Sequence, residues 1–145
     1  MKISKIIISL LLLFLTTEGI QAQEEKTASE HKTYSIENCV NEFNMDNADK
    51  TKSGYRYWFV DKNFTDGRTL KLSVVEPGKA THDPHVHEND EFFFILEGKA
   101  KFHLDGKETV VGPYTSLYCP SNIPHGISNA GNTELKYLVI KKYNE

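Results

Sequence analysis

The chain has 145 residues, a net charge of −3 and two cysteines. That length supports one domain with a real core. With two arginines, Arg56 and Arg68, and a mildly acidic balance, it lacks the basic footprint of a nucleic-acid partner.

Lys2 and Lys5 precede an almost wholly apolar stretch, Ile6 to Leu15, and a more polar run that ends in the small residue Ala22. This is the pattern of a secretory signal peptide, residues 1–22, and its apolar part is too short to span a bilayer. The expectation is an exported protein, periplasmic or secreted, with no membrane attachment after cleavage near Ala22. Residues 23–34 are charged and small and show no periodicity, so they read as a mobile leader. Residues 35–145 then form a single domain. Within it Ile36, Cys39, Val40 and Phe43 fall at helical spacing behind Ser35, which predicts a short helix over Ser35 to Asp46. An oxidising compartment would permit a Cys39–Cys119 disulfide; two free thiols are the alternative, and both stay open.

From Tyr55 on, the signals are for strands. Tyr55 to Val60 is aromatic and β-branched, and Asp61 to Gly67 is rich in turn formers. Leu70, Leu72 and Val74 alternate with Lys71, Ser73 and Val75. Glu91 to Leu96 is apolar on both faces, and Ala100, Phe102 and Leu104 alternate with polar residues before the hairpin signal Asp105-Gly106. Thr109 to Val111, Thr115 to Cys119 and Leu135 to Lys141 complete the set. Seven or eight short strands with turn signals between them predict a small antiparallel barrel or sandwich.

The stretch with chemistry in it is HDPHVHENDE, residues 82–91. In extended chain His85 and His87 lie on one face, and Glu91, of the same parity, opens an apolar strand. A carboxylate beside Phe93 and Ile95 is costly to bury unpaired, and a metal removes that cost. His125 follows a proline-braced loop one hairpin later and is the natural fourth ligand. His82 and His103 read as a solvated loop imidazole and an outward side chain. Glu88, Asn89 and Asp90 read as a solvated turn.

These residues resemble the two motifs of the cupin superfamily. Gly78, His85, His87, Glu91 and Gly98 are similar to the first motif; Pro120, Asn122, His125 and Asn129 are similar to the second. The resemblance runs over about residues 70–140. It departs from the family in one extra residue between Gly78 and His85 and in Asn122, which stands where the family has Gly. Asn tolerates the left-handed backbone that position needs. The resemblance implies an all-β fold, a small jelly-roll barrel here preceded by the short helix. It implies one divalent transition metal on His85, His87, Glu91 and His125, foremost Fe, with Mn, Ni or Zn as alternatives. It also implies that dimers are common, and a second copy or the helix could cover the outward Phe92, Phe94 and Leu96.

Phe93, Ile95, Phe102, Leu104 and Leu72 are the expected pocket wall. Arg56 is the one arginine expected to reach the pocket, and no Lys is clearly placed to clamp a carboxylate or phosphate. Three functions follow for the small-molecule partner. The first is a metal-dependent dioxygenase-type oxidoreductase, in which Glu91 doubles as a ligand and a catalytic base. The second is a non-redox isomerase or lyase on a small sugar-derived substrate, which the scarcity of basic pocket residues disfavours. The third is a module that binds a small molecule without turning it over.

Overall fold

Nine strands alternate with tight turns in the computed structural model, which describes residues 34–143. The expected signal peptide and all of the leader but Tyr34 lie outside the described residues. The strands are β1 (Asp49–Thr51), β2 (Gly54–Thr65), β3 (Arg68–Val75), β4 (Glu91–Glu97), β5 (Ala100–Leu104), β6 (Lys107–Val111), β7 (Ser116–Cys119), β8 (His125–Asn129) and β9 (Leu135–Lys142). They form a six-stranded sheet in the order β1-β2-β3-β9-β4-β7 and a three-stranded sheet in the order β6-β5-β8, with antiparallel pairing throughout. Among the described residues no helix is long and apolar enough to cross a membrane.

Local chemistry explains the turns. Asp66-Gly67 and Asp105-Gly106 both adopt positive φ at the two central positions (38° and 72°, 49° and 75°). That backbone matches the twist of the flanking strands and so closes tight hairpins. Asn122 sits at φ 60°, the left-handed conformation expected of it.

Facing residues of the two sheets make the core. Val75, Phe93, Ile95, Phe102, Ile127 and Tyr137 belong to one buried cluster, each worth about 2 kcal/mol of burial. Phe93 meets Phe102 and Tyr137 edge-on, with ring centroids 6.4 and 5.4 Å apart.

Two expectations change, and one left open is decided. The helix is only α1 (Ile36–Cys39), followed by a 3-10 turn at Met45–Asn47. Between the two, residues 40–44 have no regular structure, and the Asn44 side chain accepts from the Asp46 amide, which caps the separate 3-10 turn. Of the predicted apolar stripe, Ile36 and Val40 are exposed, while Phe43 packs edge-on against Tyr57 at 5.1 Å. Next, of the turn formers after Val60 only Asp66-Gly67 make the turn, and those up to Thr65 lie within β2. Register shifts there absorb them, and Asp61 Oδ1 accepts from the Asn63 and Phe64 amides. Finally, Cys39 is exposed, Cys119 is buried, and both are free thiols.

Strand β3 carries a further correction. Lys71 pairs with Val139 and Ser73 with Tyr137, and all four line the interior cavity. Leu72, expected to face inward, has the opposite parity and lies on the outer face beside Tyr57 and Leu138. On that outer face Tyr118, Phe92, Ile140 and Leu70 form a cross-strand row, and the first three are exposed.

Gly98, between β4 and β5, has φ +86°, and a Cβ there would lie 2.6 Å from the Glu134 carbonyl oxygen. Gly98→Ala is therefore expected to cost about 2 kcal/mol or more, read as a lowered urea midpoint with an unchanged slope.

Candidate metal centre

His85 and His87 lie not in a strand but in the loop ahead of β4. Backbone bonds hold that loop. The His85 amide donates to the His125 carbonyl at 2.9 Å and the His125 amide to the His85 carbonyl at 3.0 Å, an isolated antiparallel bridge. The Asn122 amide donates to the His87 carbonyl at 2.9 Å. The loop is thereby tied to the start of β8, and the left-handed Asn122 makes one of the ties. Asn129, at the far end of β8, donates to the Val75 and Thr133 carbonyls at 2.8 and 2.7 Å and accepts from the Gly131 amide at 2.8 Å. All its polar atoms are used, so it anchors the strand that carries His125.

These ties bring the side chains together. Ligating atoms of His85, His87 and His125 lie within 4.8 Å of one another, and so do those of Glu91, Cys119 and His125. His125 Nε2 is 3.1 Å from His87 Nε2 and 3.2 Å from Glu91 Oε1, and His87 Nε2 is 3.5 Å from that same oxygen. Glu91 and His125 are buried and the other two imidazoles half-buried.

The tautomers favour a cation. His125 Nδ1 is 2.7 Å from the Ile123 carbonyl and donates to it. A neutral imidazole has one N–H, so His125 Nε2 is a lone pair aimed at the centre. With Nδ1 donating, that lone pair faces a carboxylate oxygen at 3.2 Å, and a cation between them, a metal ion or a proton, relieves the repulsion. His85 fits the same picture: burial first, then its imidazole neighbours led by His82, hold its pKa below the ordinary 6.5, so it is neutral at pH 7. Three imidazoles and one carboxylate suit a divalent transition metal.

Arg56 reaches the pocket wall as expected, and two lysines that the sequence did not single out join it. Glu91 Oε2, turned away from the imidazoles, is 3.8 Å from Lys141 Nζ, whose side chain is 11% exposed. Lys71 and Arg56 line a cavity of about 270 Å3 that reaches Glu91, with Ser73, Thr81 and Tyr137 also in its wall. Burial pulls the Lys71 pKa down, opposed by Glu91 and reinforced by Arg56 and Lys141. The only available signal was parity in β3: Lys71 shares the face of Ser73 and Val75, and a continuous apolar face on Leu70, Leu72 and Val74 disguised it. Burial and the Glu91 charge push the Cys119 thiol up to about 12, and burial pushes the Tyr137 hydroxyl to about 12.

The expected bystanders stay outside the cluster. His103 faces Glu108 across the β5–β6 pair at 3.7 Å. His82 is exposed, but its ring meets that of His85 edge-on at 4.1 Å and it lines the same cavity.

Residues 71–141 match the family model of the cupin domain. The chain carries a cupin domain. The oxalate-binding protein of Thermotoga maritima is 35% identical over 57 residues, 39% of this chain and 47% of that one. An uncharacterized protein of Methanocaldococcus jannaschii is 32% identical over 71 residues, 49% and 57% of the two chains. The match thus spans about half the length of these relatives. The structure of a predicted oxalate decarboxylase from Thermotoga maritima superposes with a TM-score of 0.58 at 24% identity, over 62% of this cupin chain and 80% of its own, which marks a shared fold.

Three outcomes are expected of the cupin centre. His125→Ala should abolish stoichiometric metal retention, measured by elemental analysis after gel filtration, and chelation should lower the wild-type melting temperature; the bound ion contributes about 4 kcal/mol at a thousandfold excess over Kd. Because the His85 pKa is depressed on folding, the unfolded chain takes up that proton first as pH falls below 6.5. The stability contributed by this group in the metal-free protein is complete above 6.5 and lost as pH drops through the depressed value, which denaturation curves at stepped pH would follow.

Proposed function

We propose that this protein is a metal-dependent enzyme acting on a small carboxylate-bearing molecule, with proton-transfer chemistry of the isomerase or lyase type. The observation that carries the reading is Lys71 on the inner face of the barrel, with Lys141 against Glu91. A divalent ion, two ammonium groups and a single ligand carboxylate leave the site with excess positive charge, which an anionic substrate would balance. The basic groups whose expected scarcity disfavoured this reading are therefore present. The name of the oxalate-binding relative is in keeping with a carboxylate ligand.

In this reading His85, His87, Glu91 and His125 hold the ion, which when bound polarises a substrate carbonyl or carboxylate. Lys71 and Arg56 seat the anionic end, and Phe93, Val139 and Ile127 limit water around it. Glu91 Oε2, the oxygen beside Lys141, is the atom that takes a proton from the substrate. A dioxygenase remains the second reading, because three imidazoles and a carboxylate also suit Fe(II) with open positions. Export is part of the proposal too, since the N-terminal pattern suits substrates met outside the cytoplasm.

Turnover of a panel of small hydroxy and keto carboxylates, followed by NMR with and without oxygen, separates the two. The expected result is anaerobic turnover, with Lys71→Met raising KM about tenfold or more and changing kcat less. Oxygen uptake coupled to substrate loss, or a KM indifferent to Lys71→Met, would sink the proton-transfer reading.

A further inference from the structure

Cys119 is a departure from the nitrogen-and-oxygen donor set and takes no part in the chemistry above. It closes β7, and in the β4–β7 pairing it lies directly opposite Glu91. Antiparallel partners project to the same side, so thiol and carboxylate both face the barrel interior. The residue is fully buried. Its Sγ, a Glu91 carboxylate oxygen and a His125 ring nitrogen all lie within 4.8 Å of one another. Donors sharing one ion at roughly 2.0–2.3 Å stand no further apart than about 4.6 Å even when opposite each other, so this trio is within small side-chain adjustments of a common centre.

The two triads share His125, and Glu91 Oε1 touches both His125 and His87. They are therefore two sides of one bowl with five donors: three nitrogens, one oxygen and one sulfur. The chain between Cys119 and His125 is short and pinned. The Ile123 amide donates to the Pro120 carbonyl, Asn122 is tied to His87, and the Ile123 carbonyl fixes the His125 ring. Sulfur and imidazole are delivered to the centre by the same braced segment.

We propose that Cys119 is a thiolate donor to the metal held by Glu91 and His125, and that it biases the centre toward a thiophilic divalent ion, Zn(II) above Mn(II) or Fe(II). This rests on the metal reading of the site. As the metal–sulfur bond forms, the thiol proton passes to solvent and the sulfur keeps its electron pair. A soft donor among harder ones shifts selectivity in that direction. Cys39, exposed and outside both triads, plays no part.

Cobalt(II) substitution of the metal-stripped protein is the test. Wild type and Cys39→Ala should show an intense near-ultraviolet sulfur-to-cobalt band together with the visible d–d bands. Cys119→Ala should keep the d–d bands and lose the near-ultraviolet one. In competition between Zn(II) and Mn(II), the preference for zinc should fall about tenfold or more in Cys119→Ala. X-ray absorption on the zinc form of the wild type covers the case of a variant that does not fold: a sulfur scatterer at about 2.3 Å is expected, and nitrogen and oxygen alone would overturn the proposal. Cobalt uptake without the near-ultraviolet band, or a band that survives Cys119→Ala, also overturns it while leaving the metal site standing. Failure of the wild type to take up any ion removes both.

Discussion

The two backbone hydrogen bonds between His85 and His125 are the constraint on which the site depends. They join a loop with no strand structure of its own to the first residue of β8. Without them His85 and His87 would sit on a loop free to move away from Glu91 and His125. Backbone bonds do this better than side-chain contacts, because they fix both chains at once and cost little rotamer entropy. Asn122, in the β7–β8 connection, adds a third tie to that loop through His87, which is why its left-handed backbone matters to a centre it does not itself enter.

Around that clasp the inner face of the large sheet is laid out in rows. Cys119, Glu91, Lys141 and Thr69 are successive cross-strand partners over β7, β4, β9 and β3. The next row is Leu117, Phe93, Val139, Lys71 and Trp58. Glu91 stands between sulfur on one side and ammonium on the other, with its Oε1 toward the imidazoles and its Oε2 toward Lys141. The Lys71 ammonium lies 5.0 Å from the Trp58 ring centroid. That aromatic face eases the cost of holding a partly buried cation. The charge in the site is thus paired and padded, and still net positive once a divalent ion is counted.

Much of this was legible in the chain. Alternation from Tyr55 onward, with glycine-bearing turns, was enough for an antiparallel barrel. His85, His87, Glu91 and His125 could be picked out because liganding side chains are chemically distinctive and the spacing resembled known motifs. The helix is shorter than predicted because four apolar residues at helical spacing do not make a stable helix when the face they form stays exposed. The turn formers after Val60 misled because a bulged strand can hold the residues a turn would use.

By itself the sequence determined the fold class, the candidate ligand types and the left-handed position at Asn122, since each follows from local periodicity or from the chemistry of one side chain. Only the tertiary structure decided what surrounds the ligands. A strand apolar on one face and mixed on the other does not say which face points inward, and β3 turned Lys71, not Leu72, toward the cavity. Strand pairing also chose the neighbours of Glu91, placing Lys141 and Cys119 beside it from strands distant in the chain. Long-range register is set by the packing of all nine strands together, so no local pattern carries it.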